Sequence, residues 1–228
     1  MASVQTLDRA VQVLDAVATD GPLTVAELVT RTGLPKPTVH RFVVALEQHG
    51  LVTRTPGGSV RLGGRIRAWA ARSPARADLV ERARGVLTEL SDETGESAQL
   101  YVREGDHRVC IATHEQRSGL RDTVPLGAVL PLTLGSGAKV LLAWAPDRDR
   151  FDVPARALAP IRARGWADSV AERAAGVASV SAPVRDGVGE VIAAISVSGP
   201  IDRLGRQPGR RLAPTVVAAS ERLSRALA

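Results

Sequence analysis

The sequence predicts an α+β protein: an N-terminal winged helix-turn-helix, followed by a larger domain built on an antiparallel sheet. Three observations carry this. In the first third, two short helical patterns are separated by a tight Gly33-Leu34 turn and followed by a Pro-Gly-Gly hairpin. Further on, alternating apolar segments come in pairs, 97–103 with 107–113 and 177–184 with 190–197, each pair joined by a Gly/Asp turn. Helical patterns stand at the ends of these hairpins, which is the α+β arrangement. A chain of 228 residues is long enough for one large core or two smaller ones. The expected division is 1–64 for the helix-turn-helix, 65–74 for a linker helix and 75–228 for the second domain.

Composition narrows the function classes. No apolar run reaches the length of a membrane span. Asp8 precedes any apolar stretch, so no signal peptide is expected. Cys110 is the single cysteine, which excludes an intrachain disulfide and fits a reducing cytoplasm, with the nucleoid as the address of a DNA-bound protein. The net charge is +6, and all basic residues are arginine except Lys36 and Lys139. Residues 1–73 hold 9 Arg/Lys against 5 Asp/Glu, and the remainder 21 against 19. The excess in the smaller part favours a polyanionic partner there, although an arginine-rich composition alone gives the same surplus.

The elements of the first part follow in order. Leu7, Ala10, Val11, Leu14 and Val17 recur at helical spacing, so 5–19 is an amphipathic helix, stopped by Gly21-Pro22. Thr24-Val-Ala-Glu27 is a capping box that opens a helix through Arg31, with Gly33 as its stop. The next helix runs from Pro35 to Gln48, its prolines confined to the first turn, where an N–H has no partner to lose. Val39, Phe42, Val43 and Leu46 form its inward stripe. The N-terminal end of a recognition helix reaches base edges, so Lys36, Thr38, Val39, His40 and Arg41 are the candidates for DNA contact. Arg41 suits a guanine or a phosphate, and Lys36 a phosphate. Leu51–Thr55 and Ser59–Leu62 flank Pro56-Gly57-Gly58 as a wing, which offers Arg54 and Arg61 to the DNA backbone. A helical hairpin with a solvated basic face is the competing reading.

The second part opens with a helix over 75–94, with Leu79, Val80, Ala83, Leu87 and Leu90 inward. Two hairpins follow as above. Pro125 and Pro131 punctuate a loop between them, and helices are expected at 136–144, 154–164 and 208–227. The stretch Leu134-Gly-Ser-Gly-Ala-Lys139 invites a nucleotide reading, but a phosphate loop needs a second glycine five residues before Gly-Lys and a hydroxyl after the lysine. Ala138 precedes Lys139 and Val140 follows it, so that chemistry is excluded. What remains is a glycine turn opening a helix, which leaves the amides of Ser136, Gly137 and Ala138 to attract an anion or to make a plain loop-to-helix junction.

Catalytic and metal patterns are absent from the sequence. Neither G-x-S-x-G nor H-E-x-x-H occurs, so no enzyme and no cofactor are expected. On the predicted 107–113 strand, Cys110 and His114 face away from His107, so no metal is expected there either, and Cys110 reads as a small buried apolar group.

Taken along its whole length, the chain resembles the IclR family of bacterial transcriptional regulators. The match runs through TLDRAVQVLDAVA, LTVAELVTRTGLPKPTVHRFVVALEQHGLV, LPLTLGSGAKVLLAW, GWADSVAERAAGVASVSAPV and VIAAISVSGPIDRL. TGESAQLYVREGD, SGLRDTVPLG and GVASVSAPV resemble the actinobacterial NdgR/LtbR-type subgroup, which is linked to amino-acid metabolism and especially leucine biosynthesis. The resemblance implies a GAF-like effector domain, and homodimers, often paired into tetramers, on palindromic double-stranded operators. By position it puts the effector pocket on Asp122, Leu130, Ser136, Gly137, Ser169 and Ser179, with Gly119 nearby. Ser169 stands at an acidic position of better-known members and Ser179 at a cysteine position, which argues against glyoxylate- or pyruvate-like effectors. An amino acid is the expected effector. Its carboxylate would sit at Ser136–Ala138 with Ser169 or Ser179, its ammonium at Asp122, and its side chain against Leu130. An ion pair of Asp122 with Arg121 or Arg117 competes with that role, and a non-amino-acid organic acid controlling a catabolic or transport operon is the alternative.

Overall fold

The computed structural model describes residues 4–70, 74–116 and 119–228. It divides into two compact units, Met1–Ala77 and Asp78–Ala228. The expected linker segment at 65–74 contains helix α4 (Gly64–Ala70), and its residues 71–73 lie outside the described residues.

In the first unit, α1 (Gln5–Asp20), α2 (Val25–Thr32) and α3 (Lys36–Gln48) precede a two-stranded wing, β1 (Val52–Arg54) and β2 (Val60–Leu62). Leu23, ahead of α2, exchanges backbone hydrogen bonds of 2.9 and 2.7 Å with Val60, so the wing is stitched to the α1–α2 turn. Val13, Val17, Leu28, Val39, Val43, Val52 and Val60 make the core. Here α1 departs from its expected stripe. Val13 and Val17 are its buried residues, whereas Leu7 is 61% exposed and Val11 43%. Only the C-terminal half of the helix meets the core. The positions 4, 7, 11 and 14 form a second apolar line, and helical spacing alone does not say which line is covered.

In the second unit, α5 (Pro74–Thr94) leads into six antiparallel strands: β3 (Ser97–Glu104), β4 (His107–His114), β5 (Val129–Pro131), β6 (Ala167–Val170), β7 (Val177–Arg185) and β8 (Val191–Pro200). Their order in the sheet is β5-β4-β3-β8-β7-β6. Helices α6 (Ser136–Ala143) and α7 (Ala155–Arg164) stand between β5 and β6, while α8 (Ile201–Leu204) and α9 (Pro208–Leu227) end the chain. Alternation along the strands sorts the two faces. Leu100, Val102, Val180, Val184, Ile195 and Val197 pack with Leu87 and Leu90 of α5 and Val216 and Leu223 of α9. The other face carries Tyr101, Cys110 and Ala194, packed with Leu142 of α6 and Leu158 and Ile161 of α7.

Three short elements lie where the sequence reads as loop: β5, β6 and α8. Three or four residues give too few alternations to register as a strand. Pro131 is tolerated because β5 is an edge strand, whose outward side needs no N–H.

Two arginine–carboxylate forks fix the ends of β3. At its start, Glu96 is buried and receives Arg203 Nε at 2.7 Å and Nη2 at 2.8 Å. Gly199 makes room for this pair, since a Cβ there would lie 2.1 Å from Glu96 Oε2. At its other end, Arg103 donates to both carboxylate oxygens of Asp147, at 2.6 and 2.8 Å. The fork holds the Asp147 carboxyl down to about 2 from its ordinary 3.8. A depressed carboxylate contributes stability that is fully present above the unfolded value and is lost as pH falls through the folded one. Asp147→Asn therefore flattens the acid limb of the stability curve between pH 3.8 and about 2. Denaturant melts across that range check it, and an unchanged slope would show that the fork is energetically idle.

Candidate DNA-binding surface and effector cavity

The α2–α3 pair is built by local chemistry. Thr24 N–H donates to Glu27 Oε2 at 2.7 Å and Glu27 N–H donates to Thr24 Oγ1 at 3.3 Å, which closes the capping box. These bonds hold the Glu27 carboxyl below its ordinary value. Gly33 takes a left-handed φ of 66°, and its N–H donates to Val29 O at 3.0 Å, so α2 stops and the chain reverses. Lys36, His40 and Arg41 are exposed on α3 and Thr38 is half-buried. Val39 is not on this surface. It is fully buried against the core of the unit, because it shares the inward stripe with Val43 and Leu46. Arg61 is exposed on the wing. Arg54 is half-buried and donates from Nε to Glu47 Oε2 at 3.3 Å, so it braces the wing against α3.

In the second unit, the serines form a stripe across the sheet. The register pairs Ser169 with Ser179, Ser179 with Ser198, and Ser181 with Ser196. Ser136, at the start of α6, places its Oγ 2.7 Å from both Ser179 Oγ and Ser181 Oγ. Ser169 and Ser179 are 3.0 Å apart, and Ser181 donates to Ser196 at 2.8 Å. Gly137 suits this approach, since a Cβ would meet the Tyr101 ring at 3.2 Å and the ring would have to give by a few tenths of an ångström. The first bond into α6 is Lys139 N to Gly135 O, so the amides of Ser136, Gly137 and Ala138 have no carbonyl within the helix. Lys139 Nζ pairs with Glu172 and donates to Asp168 O at 2.9 Å. Glu172 also accepts from Gly135 N–H at 3.1 Å. Lys139 is thus a tie between α6 and the β6–β7 segment.

A cavity of about 20 Å³ lies between the start of α6 and the serine stripe. Ser136, Gly137, Ser169, Ser179 and Asp122 line it, as do Tyr101, Arg108 and Arg173. Asp122 does not face an open space. Its carboxylate is 2.5 Å from Arg173 Nη2, while Arg121 pairs with Glu115. Leu130 and Gly119 do not line the cavity. Leu130 pairs with Arg108 across the β4–β5 ladder, and Gly119 sits on the exposed surface. Ala138 is fully buried and has only its backbone to offer.

Arg108 is the feature the sequence reading passed over. It is 3% exposed, and among the described residues no carboxylate pairs with it. Nη1 donates to the carbonyls of Pro131 and Leu134, the guanidinium lies 5.3 Å from the Tyr101 ring centre, and Nε has no partner. Burial pulls its proton affinity below the ordinary arginine value and pushes that of Tyr101 up. Neighbouring Cys110 is raised by burial to about 12, so its thiol stays protonated and inert. Arg108 shares the inward face with Cys110 by simple alternation, so an inward arginine was readable. Arg173 lies in an irregular segment and gives no such signal. His114 sits 3.1 Å from Thr88, and no cluster of three metal-ligating side chains occurs among the described residues.

A reading helix in one unit and a small charged cavity in the other are the two halves of a transcriptional regulator with an effector-binding domain. Comparison with known families makes the assignment specific. Residues 6–56 match the IclR helix-turn-helix domain, and residues 72–153 and 155–225 match the bacterial transcriptional regulator IclR C-terminal domain. The chain belongs to the IclR family of DNA-binding transcriptional regulators and is not an enzyme. It is 32% identical to the HTH-type transcriptional regulator BhcR of Paracoccus denitrificans, over 97% of this chain and 86% of that protein. An IclR-family regulator from Rhodococcus sp. is 29% identical, covering 100% of this chain and 97% of its own, with a TM-score of 0.60. An IclR homologue from Microbacterium hydrocarbonoxydans complexed with 4-hydroxybenzoate shares the fold at 23% identity, covering 97% and 98% of the two chains, with a TM-score of 0.70. No helix among the described residues is long and apolar enough to cross a membrane.

The loop that supplies Glu172 and Arg173 opens on Ala171, which has a φ of 57°. An alanine in that region costs about 1–2 kcal/mol, and glycine gives back about 0.5–1 through its looser unfolded chain. Ala171→Gly should therefore stabilise the protein by roughly 0.5–1 kcal/mol. A chemical melt measures this, and a loss of stability would mean the loop is not strained.

Proposed function

We propose that the chain controls an operon in response to a small organic acid, bound in the serine-lined cavity at the start of α6. The observation that carries this is Arg108, a buried cation with no carboxylate among the described residues. A buried guanidinium left without a counter-ion is costly, and an anion beside it recovers that cost through charge-assisted hydrogen bonds. The amides of Ser136, Gly137 and Ala138 add donors on the same side, where the hydroxyls of Ser136, Ser169 and Ser179 bond one another.

An amino acid fits this charge pattern less well than an acid without an amine. Asp122, the one carboxylate lining the cavity among the described residues, is paired to Arg173, and an ammonium there would face two guanidinium groups. The NdgR/LtbR-like segments and a leucine-biosynthesis role call for an amino-acid effector, and the charge pattern favours the alternative of a catabolic or transport operon. The structural relative bound to 4-hydroxybenzoate supplies a precedent for an organic acid as ligand.

On DNA, a homodimer sets the exposed Lys36, His40 and Arg41 and the half-buried Thr38 of each protomer into successive major grooves of a palindromic operator, with Arg61 on the backbone. Val4, Leu7 and Val11 leave an apolar line on α1 suited to a second copy. A 10–100-fold change in operator affinity requires about 1.4–2.7 kcal/mol of differential effector binding to the two states.

Two measurements test this. Arg41→Ala weakens specific operator binding, by about 1–3 kcal/mol if it holds a base. Mobility shifts as strong as wild type would remove Arg41 from the reading surface. Arg108→Gln lowers affinity for whichever organic acid a thermal-shift screen finds, by about tenfold or more. Unaltered affinity would mean the cavity is not the sensor.

A further inference from the structure

Among the described residues, the cavity holds two guanidinium groups and one carboxylate. Arg108 is fixed on β4 and tied to the carbonyls of Pro131 and Leu134. Arg173 and Asp122 come from two irregular segments, 171–176 and 121–128, and close on each other at 2.5 Å. With that pair closed, about 20 Å³ remains, which holds about one water molecule. Even the smallest organic diacid is several waters in size. Space does not come readily from the sheet or from α6, since Ser136, Ser181 and Ser196 are buried there and tied by the serine network. It comes from parting Asp122 and Arg173. Asp122 is flanked by Arg121 and by the strongly exposed Leu120 and Leu126, so its segment has water on one side to move into.

Opening has a charge consequence that depends on the ligand. A monocarboxylate that pairs with Arg108 leaves Arg173 without a carboxylate. A dicarboxylate pairs with both arginines and releases Asp122 to water, where an ionised carboxylate is well solvated. We propose that the Asp122–Arg173 pair is a latch held by an internal carboxylate, and that the effector is a small dicarboxylate. One of its carboxylates pairs with Arg108 at the start of α6, and the other takes Arg173 from Asp122. This rests on the reading of the cavity as the effector site and adds the ligand's charge to it.

The test uses calorimetric titration of the full chain with straight-chain diacids from oxalate to glutarate, and with monocarboxylates of the same chain lengths. At least one diacid binds about tenfold or more tighter than its matched monoacid. Arg173→Gln removes that preference, and Arg173→Lys keeps part of it, which separates a lost charge from a lost fold. Asp122→Asn removes the internal competitor and tightens the diacid several-fold. Monoacids binding wild type as tightly as diacids, in an Arg108-dependent way, would leave the effector site standing and overturn the latch. A diacid weakened by Asp122→Asn would also overturn it. No binding of either class to wild type or to Asp122→Asn would overturn the anion site and the latch together.

Discussion

A positive charge buried without a carboxylate among the described residues is the constraint around which the second unit is organised. Arg108 sits inside the inward face of β4, where alternation calls for an apolar residue. Each neighbour answers part of its cost. Two loop carbonyls take Nη1, the Tyr101 ring lies alongside, and Gly135 admits the guanidinium, its would-be Cβ lying 3.2 Å from Nη2. None of these supplies a full negative charge. The first turn of α6 offers only further donors and the serine stripe only dipoles, which is why the proposed effector is an anion.

The glycine-rich start of α6 takes its meaning from that charge. Ser136 is bound to two sheet serines and Gly137 fits under Tyr101, so the helix cannot slide along the sheet. Lys139, the residue that suggests nucleotide chemistry in the sequence, is turned the other way and pairs with Glu172. Since Glu172 also caps Gly135 N–H, one carboxylate holds both the entry to the helix and its lysine. The amides of the first turn keep no carbonyl within the helix, and the side chain that looks like a phosphate ligand is structural.

Much of the fold was legible because it rests on local chemistry. The capping box at Thr24, the left-handed Gly33 and the hairpin pairs each state their geometry within a few residues. Misreadings arose where two local rules compete or where partners are far apart. Val39 satisfies both the recognition-helix position and the inward stripe, and packing decides for the core. The apolar line through Leu7 and Val11 is as regular as the one through Val13 and Val17, and only tertiary contact distinguishes them. In the cavity, Ser136, Ser169 and Ser179 were within reach of the sequence because they stand at family positions. The Asp122–Arg173 pair spans 51 residues between two irregular segments and carries no periodic mark.

The anchoring of those two segments determines where motion at the cavity can go. The Asp122 segment is held through Leu120 O, which accepts from Arg203 Nη2 at 2.6 Å. Arg203 is the partner of buried Glu96, and Glu96 lies where α5 ends and β3 begins, against Gly199 of β8. The Arg173 segment is held through Glu172 at the first turn of α6. Displacing Asp122 therefore loads the Arg203–Glu96 pair at the C-terminal end of α5, whereas displacing Arg173 loads α6. Glu96 is buried whereas Arg203 is exposed, so it is the carboxylate that is left uncompensated if the two part. The anchor favours two discrete positions of the Asp122 segment over a continuum, and two discrete states are what a ligand needs in order to shift a population. The connection from the Asp122 segment to the end of α5 thus runs through one guanidinium, Arg203, which bonds a loop carbonyl and a buried carboxylate at once.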